Sequence, residues 1–136
     1  RLLNAQLLNI DFNKHSVAHL YRAAQEGIVF AFRYGLDIMR QNGMQPSVIR
    51  AGKANMFLSE VFTSAFVNTL NVPVELYQCD GSHGAAIGGG IGVGFYKNPA
   101  EAFSNFAPVE TIRPVAGQPY EALYGRWLEQ LEKNLN

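Results

Sequence analysis

"IRAGKANMFLSEVF", residues 49–62, passes from a short apolar run into a helical pattern, and it decides how the rest of the chain is laid out. "SVIRA", after Pro46, has the length and composition of a strand. Ser59 stands at an N-cap position before Phe62, Ala65, Phe66, Thr69 and Leu70, whose three- and four-residue spacing predicts a helix. Between the two, Gly52 permits a tight departure from the strand, and Asn55 carries an amide that can both donate and accept. Met56 and Phe57 can form an apolar wall, and Ser59 opens a helix whose N-terminus favours anions. Turns at the carboxyl edge of an α/β sheet host ligands. From these residues alone, a ligand loop and a plain strand-to-helix turn are equally supported.

Upstream, Val17, Leu20, Ala24, Ile28, Ala31, Phe32, Gly35, Leu36 and Met39 recur at helical spacing, predicting one long amphipathic helix capped by Ser16 and ended at Gly43. Downstream, Asn71 can stop the second helix in the left-handed conformation. "VPVELYQ" then alternates Val72, Val74 and Leu76 against Pro73, Glu75 and Tyr77, as a half-buried strand does. A third helix is expected from "DGSHGAA". Residues 98–117 hold three of the six prolines and read as irregular apart from a turn near "PAEAF". Pro119 suits the first turn of a last helix whose face is Tyr120, Leu123, Tyr124, Trp127, Leu128, Leu131 and Leu135. With "LLNAQLLNI" counted as a further strand, the order β-α-β-α-β-α-α implies an α/β layered domain whose sheet is incomplete on its N-terminal side.

Composition narrows the functional classes. A chain of 136 residues, 48% of them hydrophobic, suits one compact domain. Eleven basic and eleven acidic residues cancel without any basic cluster, which argues against a nucleic-acid partner. Cys79 is the only cysteine, so an intrachain disulfide is excluded and a reducing, cytoplasmic compartment is expected. The apolar window Ala85–Phe95 is too short to span a bilayer, so no membrane partner is expected. The opening "RLLNAQLLNIDF" has neither an initiating Met nor the sections of a signal peptide, and reads as the start of a piece of a longer protein.

Other candidate sites give way to structural readings. "GAAIGGGIGVG" satisfies neither the P-loop pattern nor G-x-G-x-x-G, whereas Gly84, Gly88 and Gly92 share one helical face and imply close backbone packing. His15 and His19 lie four apart but lack the intervening glutamate and a third ligand, so no metal site is expected. "DGSHG" departs from the nucleophile-elbow pattern, and Asp80 and Ser82 read as helix caps. Cys79 has no basic neighbour in sequence and reads as a packed thiol.

Three segments, "HSVAHLYRAAQEGIVFAFRYGLDIMR", "IRAGKANMFLSEVF" and "VPVELYQCDGSHGAAIGGGIGVGFY", in this order and spacing, resemble the C-terminal domain of the FGGY carbohydrate kinases, and among them the xylulose kinases. The resemblance covers about His15 to Leu131. It implies a partial actin-like ATPase (ribonuclease H-like) domain, three-layered α/β, forming one C-terminal nucleotide-binding lobe over residues 1–136. In such kinases sugar and ATP meet between two domains, and a glycine-rich loop after a strand holds the adenosine. Here "ANMFLS" stands in that place, so the residues carried over are Gly52, Ala54, Asn55, Met56 and Ser59, although Ala54, Asn55 and Met56 replace successive glycines.

The resemblance further implies ATP with magnesium as cofactors, ATP/ADP and a sugar as partners, and a catalytic aspartate, sugar pocket and phosphate loops earlier in the polypeptide. Asp11, Asp37 and Asp80 match none of those motifs, so no catalytic residue and no metal ligand is assigned here, and the chain alone is expected to be inactive. Family members are often homodimers, and the exposed face of the last helix could contribute. Two readings follow: part of an ATP-dependent sugar kinase converting D-xylulose to D-xylulose 5-phosphate, or a non-catalytic α/β binding or assembly module that keeps the lobe's fold.

Overall fold

The computed structural model describes residues 4–104 and 106–135. A long helix α1 (Val17–Gln41) leads into strand β1 (Ile49–Gly52), a 3-10 turn (Asn55–Leu58) and helix α2 (Glu60–Leu70). Strand β2 (Val74–Tyr77), helix α3 (Gly81–Gly92), the short helix α4 (Pro99–Ala102), strand β3 (Glu110–Ile112) and helix α5 (Tyr120–Leu135) follow. β2 is central. It pairs in parallel with β1, setting Ile49 opposite Val74 and Gly52 opposite Tyr77, and antiparallel with β3, setting Val74 opposite Ile112.

The local signals that set these boundaries act as their chemistry requires. α1 stops before Gly43, which sits at φ +86°, a conformation that glycine adopts without a Cβ clash. Ser59 accepts from the Phe62 N–H and Asn71 turns into the left-handed region at φ 53°, so α2 is closed at both ends by its own sequence. Asp80 caps α3.

Helices cover both faces of the sheet, giving three layers. On one face α2 packs against α1 and α5, and the core of Val29, Phe62, Val67, Val74 and Leu76 is almost wholly excluded from solvent. Phe57 meets Phe62 and Phe66 edge-on, with ring centroids 5.3 and 5.2 Å apart. At the end of α2, two α1 side chains reach its carbonyls: Arg33 donates to that of Thr69 and Arg40 donates to that of Leu70 at 2.9 Å. These are last-turn carbonyls without intrahelical partners. Asp37 holds both guanidinium groups, at 2.9 and 3.2 Å, and accepts the Tyr124 hydroxyl at 3.1 Å. On the other face lie α3 and α4.

Four expectations from the sequence need correction. The "LLNAQLLNI" segment forms no strand among its described residues 4–10, while Leu2 and Leu3 lie outside the described residues. Its Gln6 side chain donates to Asn134 on α5, and Asn9 turns at φ 58°, so the segment follows a helix rather than a sheet edge. β3 was not expected: three residues between Pro108 and Pro114, with only Ile112 half-buried, carry no alternation to read. Gly84, Gly88 and Gly92 face open space rather than packed backbone, since a Cβ at any of them would meet nothing within 4 Å. Finally, the apolar stripe of α1 is largely exposed: of its members only Leu36 is buried, and the other buried residues of the helix are Val29 and Phe30, outside the stripe.

Candidate nucleotide-binding site

The parallel pair β1–β2 ends in two loops that meet. Lys53 extends the ladder by donating its N–H to the Tyr77 carbonyl at 2.8 Å, after which the chain tightens, Ala54 donating to the Gly52 carbonyl at 2.8 Å. Gly52 is fixed by sterics: a Cβ there would lie 2.2 Å from the Cys79 carbonyl oxygen, deep inside contact distance. Its φ is not positive, so what the position requires is the missing side chain and not an unusual backbone angle. That close approach brings the start of α3 beside the end of β1.

The five residues assigned by resemblance end in different environments. Ala54 is half-buried. Asn55 is exposed at φ 51°, a region asparagine tolerates better than most residues, and its side-chain amide has no hydrogen-bond partner among the described residues. Met56 packs with Phe57 against the α2 core, so the apolar wall these two were expected to offer a ligand is turned to the protein's own interior. The Ser59 hydroxyl donates to Gln25 on α1 at 2.6 Å and accepts from Phe62, so both of its roles are taken within the chain. Glu60 adds an acidic group to the first turn of α2. Of the five, Gly52 lines a cavity.

That cavity, about 220 Å³, lies between the sheet and α3–α4 and is bounded by Gly52, Tyr77, His83, Ile87, Phe103 and Phe106. The Asp80 carboxylate stands at its rim, accepting the Ser82 and His83 N–H groups and the Ser82 hydroxyl. Those bonds, the one from the Ser82 hydroxyl foremost, hold its carboxyl below the ordinary range. Asp80 is thus the cap, while Ser82 sits inside the first turn and donates to it. With those N–H groups committed to a carboxylate, the α3 N-terminus does not present itself to an anion.

Arg50 was missed in the sequence. Opposite Glu75 in the ladder, it donates to that carboxylate at 3.0 Å and to the Tyr77 hydroxyl at 3.3 Å, with its guanidinium 5.2 Å from the Phe103 ring centroid. Burial, followed by the bond to Glu75, pushes the Tyr77 phenol up, and the Tyr77 hydroxyl and then Arg50 hold Glu75 down. Strand alternation puts Arg50, Glu75 and Tyr77 on one side and could have found the trio, whereas Phe103 comes from the connector and has no periodic signal.

Metal chemistry has no donor set here. Among the described residues no three His, Cys, Asp or Glu side chains come together around one ion. His15 and His19 each use Nδ1 to accept a backbone N–H, from Asp11 at 3.0 Å and Ser16 at 3.1 Å. That network assigns the ring proton to Nε2 and leaves neither imidazole a free lone pair. Among the described residues no helix is long and apolar enough to cross a membrane.

No protein-family model matches the chain. Among curated proteins, the L-xylulose/3-keto-L-gulonate kinase of Escherichia coli is 32% identical over 120 residues, covering 83% of this chain and 24% of that protein. The xylulose kinase of Haemophilus influenzae is 30% identical over 139 residues, covering 95% and 27%. The crystal structure of xylulose kinase from Rhodospirillum rubrum superposes with a TM-score of 0.71 at 23% identity, over 91% of this chain and 26% of that one. The Plasmodium falciparum glycerol kinase with ADP gives 0.68 at 18% identity, over 94% and 26%. The chain therefore spans about a quarter of the length of the relatives it matches. Its three layers are part of the actin-like ATPase, ribonuclease H-like fold, and by sequence and fold together the chain belongs to the FGGY family of carbohydrate kinases.

Proposed function

We propose that the chain is the C-terminal nucleotide-binding part of an ATP-dependent kinase for a xylulose-type ketose, and that it supplies the adenosine side of the ATP site. The observation that carries this reading is the 32% and 30% identity to two kinases named for xylulose sugars, over most of this chain. The free amide of Asn55, at the carboxyl end of a parallel strand, is the local feature that supports it. Magnesium would accompany the nucleotide, and its ligands, the base for the sugar hydroxyl and the phosphate loops belong in this reading to the remaining polypeptide. The chain's own residues would then orient the nucleoside and leave phosphoryl transfer to groups outside it. On its own it is expected to form no ADP with xylulose, ribulose or glycerol, and turnover above the buffer control would overturn that division of labour.

The sharper test uses the longer kinase. Asn55→Ala should weaken ADP binding by about one neutral hydrogen bond, roughly 0.5–1.5 kcal/mol, and leave sugar affinity unchanged. Calorimetric titration of the folded variant checks this beside a thermal melt, because losing asparagine at a positive φ also strains the turn. A lower melting temperature with unaltered ADP affinity would remove Asn55 from the site.

A further inference from the structure

The 3-10 turn that begins at Asn55 has little of its own to hold it in one orientation. Ala54 precedes it and offers no side-chain cap, and its backbone bonds, such as Phe57 to the Ala54 carbonyl at 3.1 Å, are of the short-range kind whose geometry is poorer than in an α-helix. Met56 and Phe57 anchor the turn to the α2 core, but apolar contact has no direction. Direction comes from the hydrogen bonds at its two ends. At the start, the Lys53 N–H is tied to the Tyr77 carbonyl of β2. At the far end, Ser59 closes the turn and caps α2, and its hydroxyl donates to Gln25 of α1 at 2.6 Å.

The sense of that bond is fixed by its neighbour. The Ser59 oxygen already accepts the Phe62 N–H, which leaves the hydroxyl proton to be donated, so the atom it meets on half-buried Gln25 is the amide oxygen and not the nitrogen. α1 thus grips α2 at both ends, through Gln25 at the N-cap and through Arg33 and Arg40 at the last carbonyls. What lies beyond the two grips differs. The Asn55 turn adjoins the first, whereas the second leads on to Asn71 and β2.

We propose that Gln25 is a positioning residue for nucleotide binding: through the Ser59 hydroxyl it sets the angle at which the turn presents the Asn55 amide, a role that rests on the reading of this turn as the adenosine side of the ATP site. Gln25 acts only through Ser59, and its amide oxygen is the one atom the role requires.

The test sets three variants of the longer kinase beside Asn55→Ala. Gln25→Leu removes the acceptor and should weaken ADP binding by roughly twofold to tenfold, the worth of one hydrogen bond, with sugar affinity unchanged. Gln25→Glu keeps an oxygen that accepts from Ser59 and should restore most of that affinity. Arg40→Leu loosens the other grip and should lower the melting temperature at least as far as Gln25→Leu does, yet leave ADP affinity unaltered. Full ADP affinity in Gln25→Leu where Asn55→Ala weakens it, no recovery in Gln25→Glu, or an equal loss in Arg40→Leu would each overturn the proposal and leave the functional reading standing. The Phe57 and Ser59 amides separate the two readings in the other direction, since they should exchange faster in Gln25→Leu and at the parent rate in Gln25→Glu without any ligand. If Asn55→Ala leaves ADP affinity unaltered, the functional reading of Asn55 fails, and those amides alone decide whether Gln25 positions the turn; exchange unaltered by Gln25→Leu would overturn it.

Discussion

The two faces of the three-stranded sheet are built on different principles. Under α2 the side chains are large, apolar and interlocked, with Phe62 exposed by 1% and ringed by Phe57 and Phe66. Under α3 the cover is a glycine-rich helix in which only Ile87 is buried, and the space holds a cavity and the Arg50–Glu75–Tyr77 trio in place of a packed core. The first face carries the stability. The second holds two loops against each other at the strand ends, which calls for small residues and fixed backbone more than for buried area.

The largest effect should come from the first face. Phe62→Ala should cost about 3–5 kcal/mol, the usual range for deleting a buried aromatic. Ile87→Ala beside the cavity should cost less, at the low end of the roughly 2–5 kcal/mol seen for aliphatic truncations. Denaturant melts of both variants check the contrast, and equal losses would break it.

Next come two identical changes with opposite expected signs. Gly52→Ala drives a methyl into the Cys79 carbonyl and should destabilise by about 1–3 kcal/mol through overpacking, with displacement of the β1–α2 loop. Gly88→Ala meets nothing within 4 Å and should stabilise the chain by up to about 1 kcal/mol through better helix propensity. If Gly88→Ala proved as damaging as Gly52→Ala, the α3 face would have to be packed after all.

Elements whose signals are local were legible in the sequence. Ser59, Asn71 and Asp80 cap or stop their helices through bonds or backbone angles that reach no more than a few residues, and all three act where they were expected to. The apolar periodicity of α1 identified the helix correctly but, Leu36 apart, not the residues it buries, because period alone does not say which neighbour a stripe will meet. Gly52 was singled out for the wrong property: its need is set by Cys79, far along the chain and invisible to spacing. The same holds for the site, where the loop's position could be read and the engagement of Met56 and Ser59 with the core could not.

The guanidinium latch between α1 and α2 bears on how the molecule opens and closes. Arg33 and Arg40 reach carbonyls 36 and 30 residues away across the same connection, so the first bond to form closes a long loop, at an entropic cost of about 3 kcal/mol for a chain of that length, and the second adds little to that cost. Once both are made, the last turn of α2 cannot fray without releasing two cations from their acceptors, and Asp37 ties Tyr124 of α5 to the same event. The amides at the end of α2 should therefore exchange with solvent in step with those of α1 and not as an independent helix end, which makes the three helices one unit of opening.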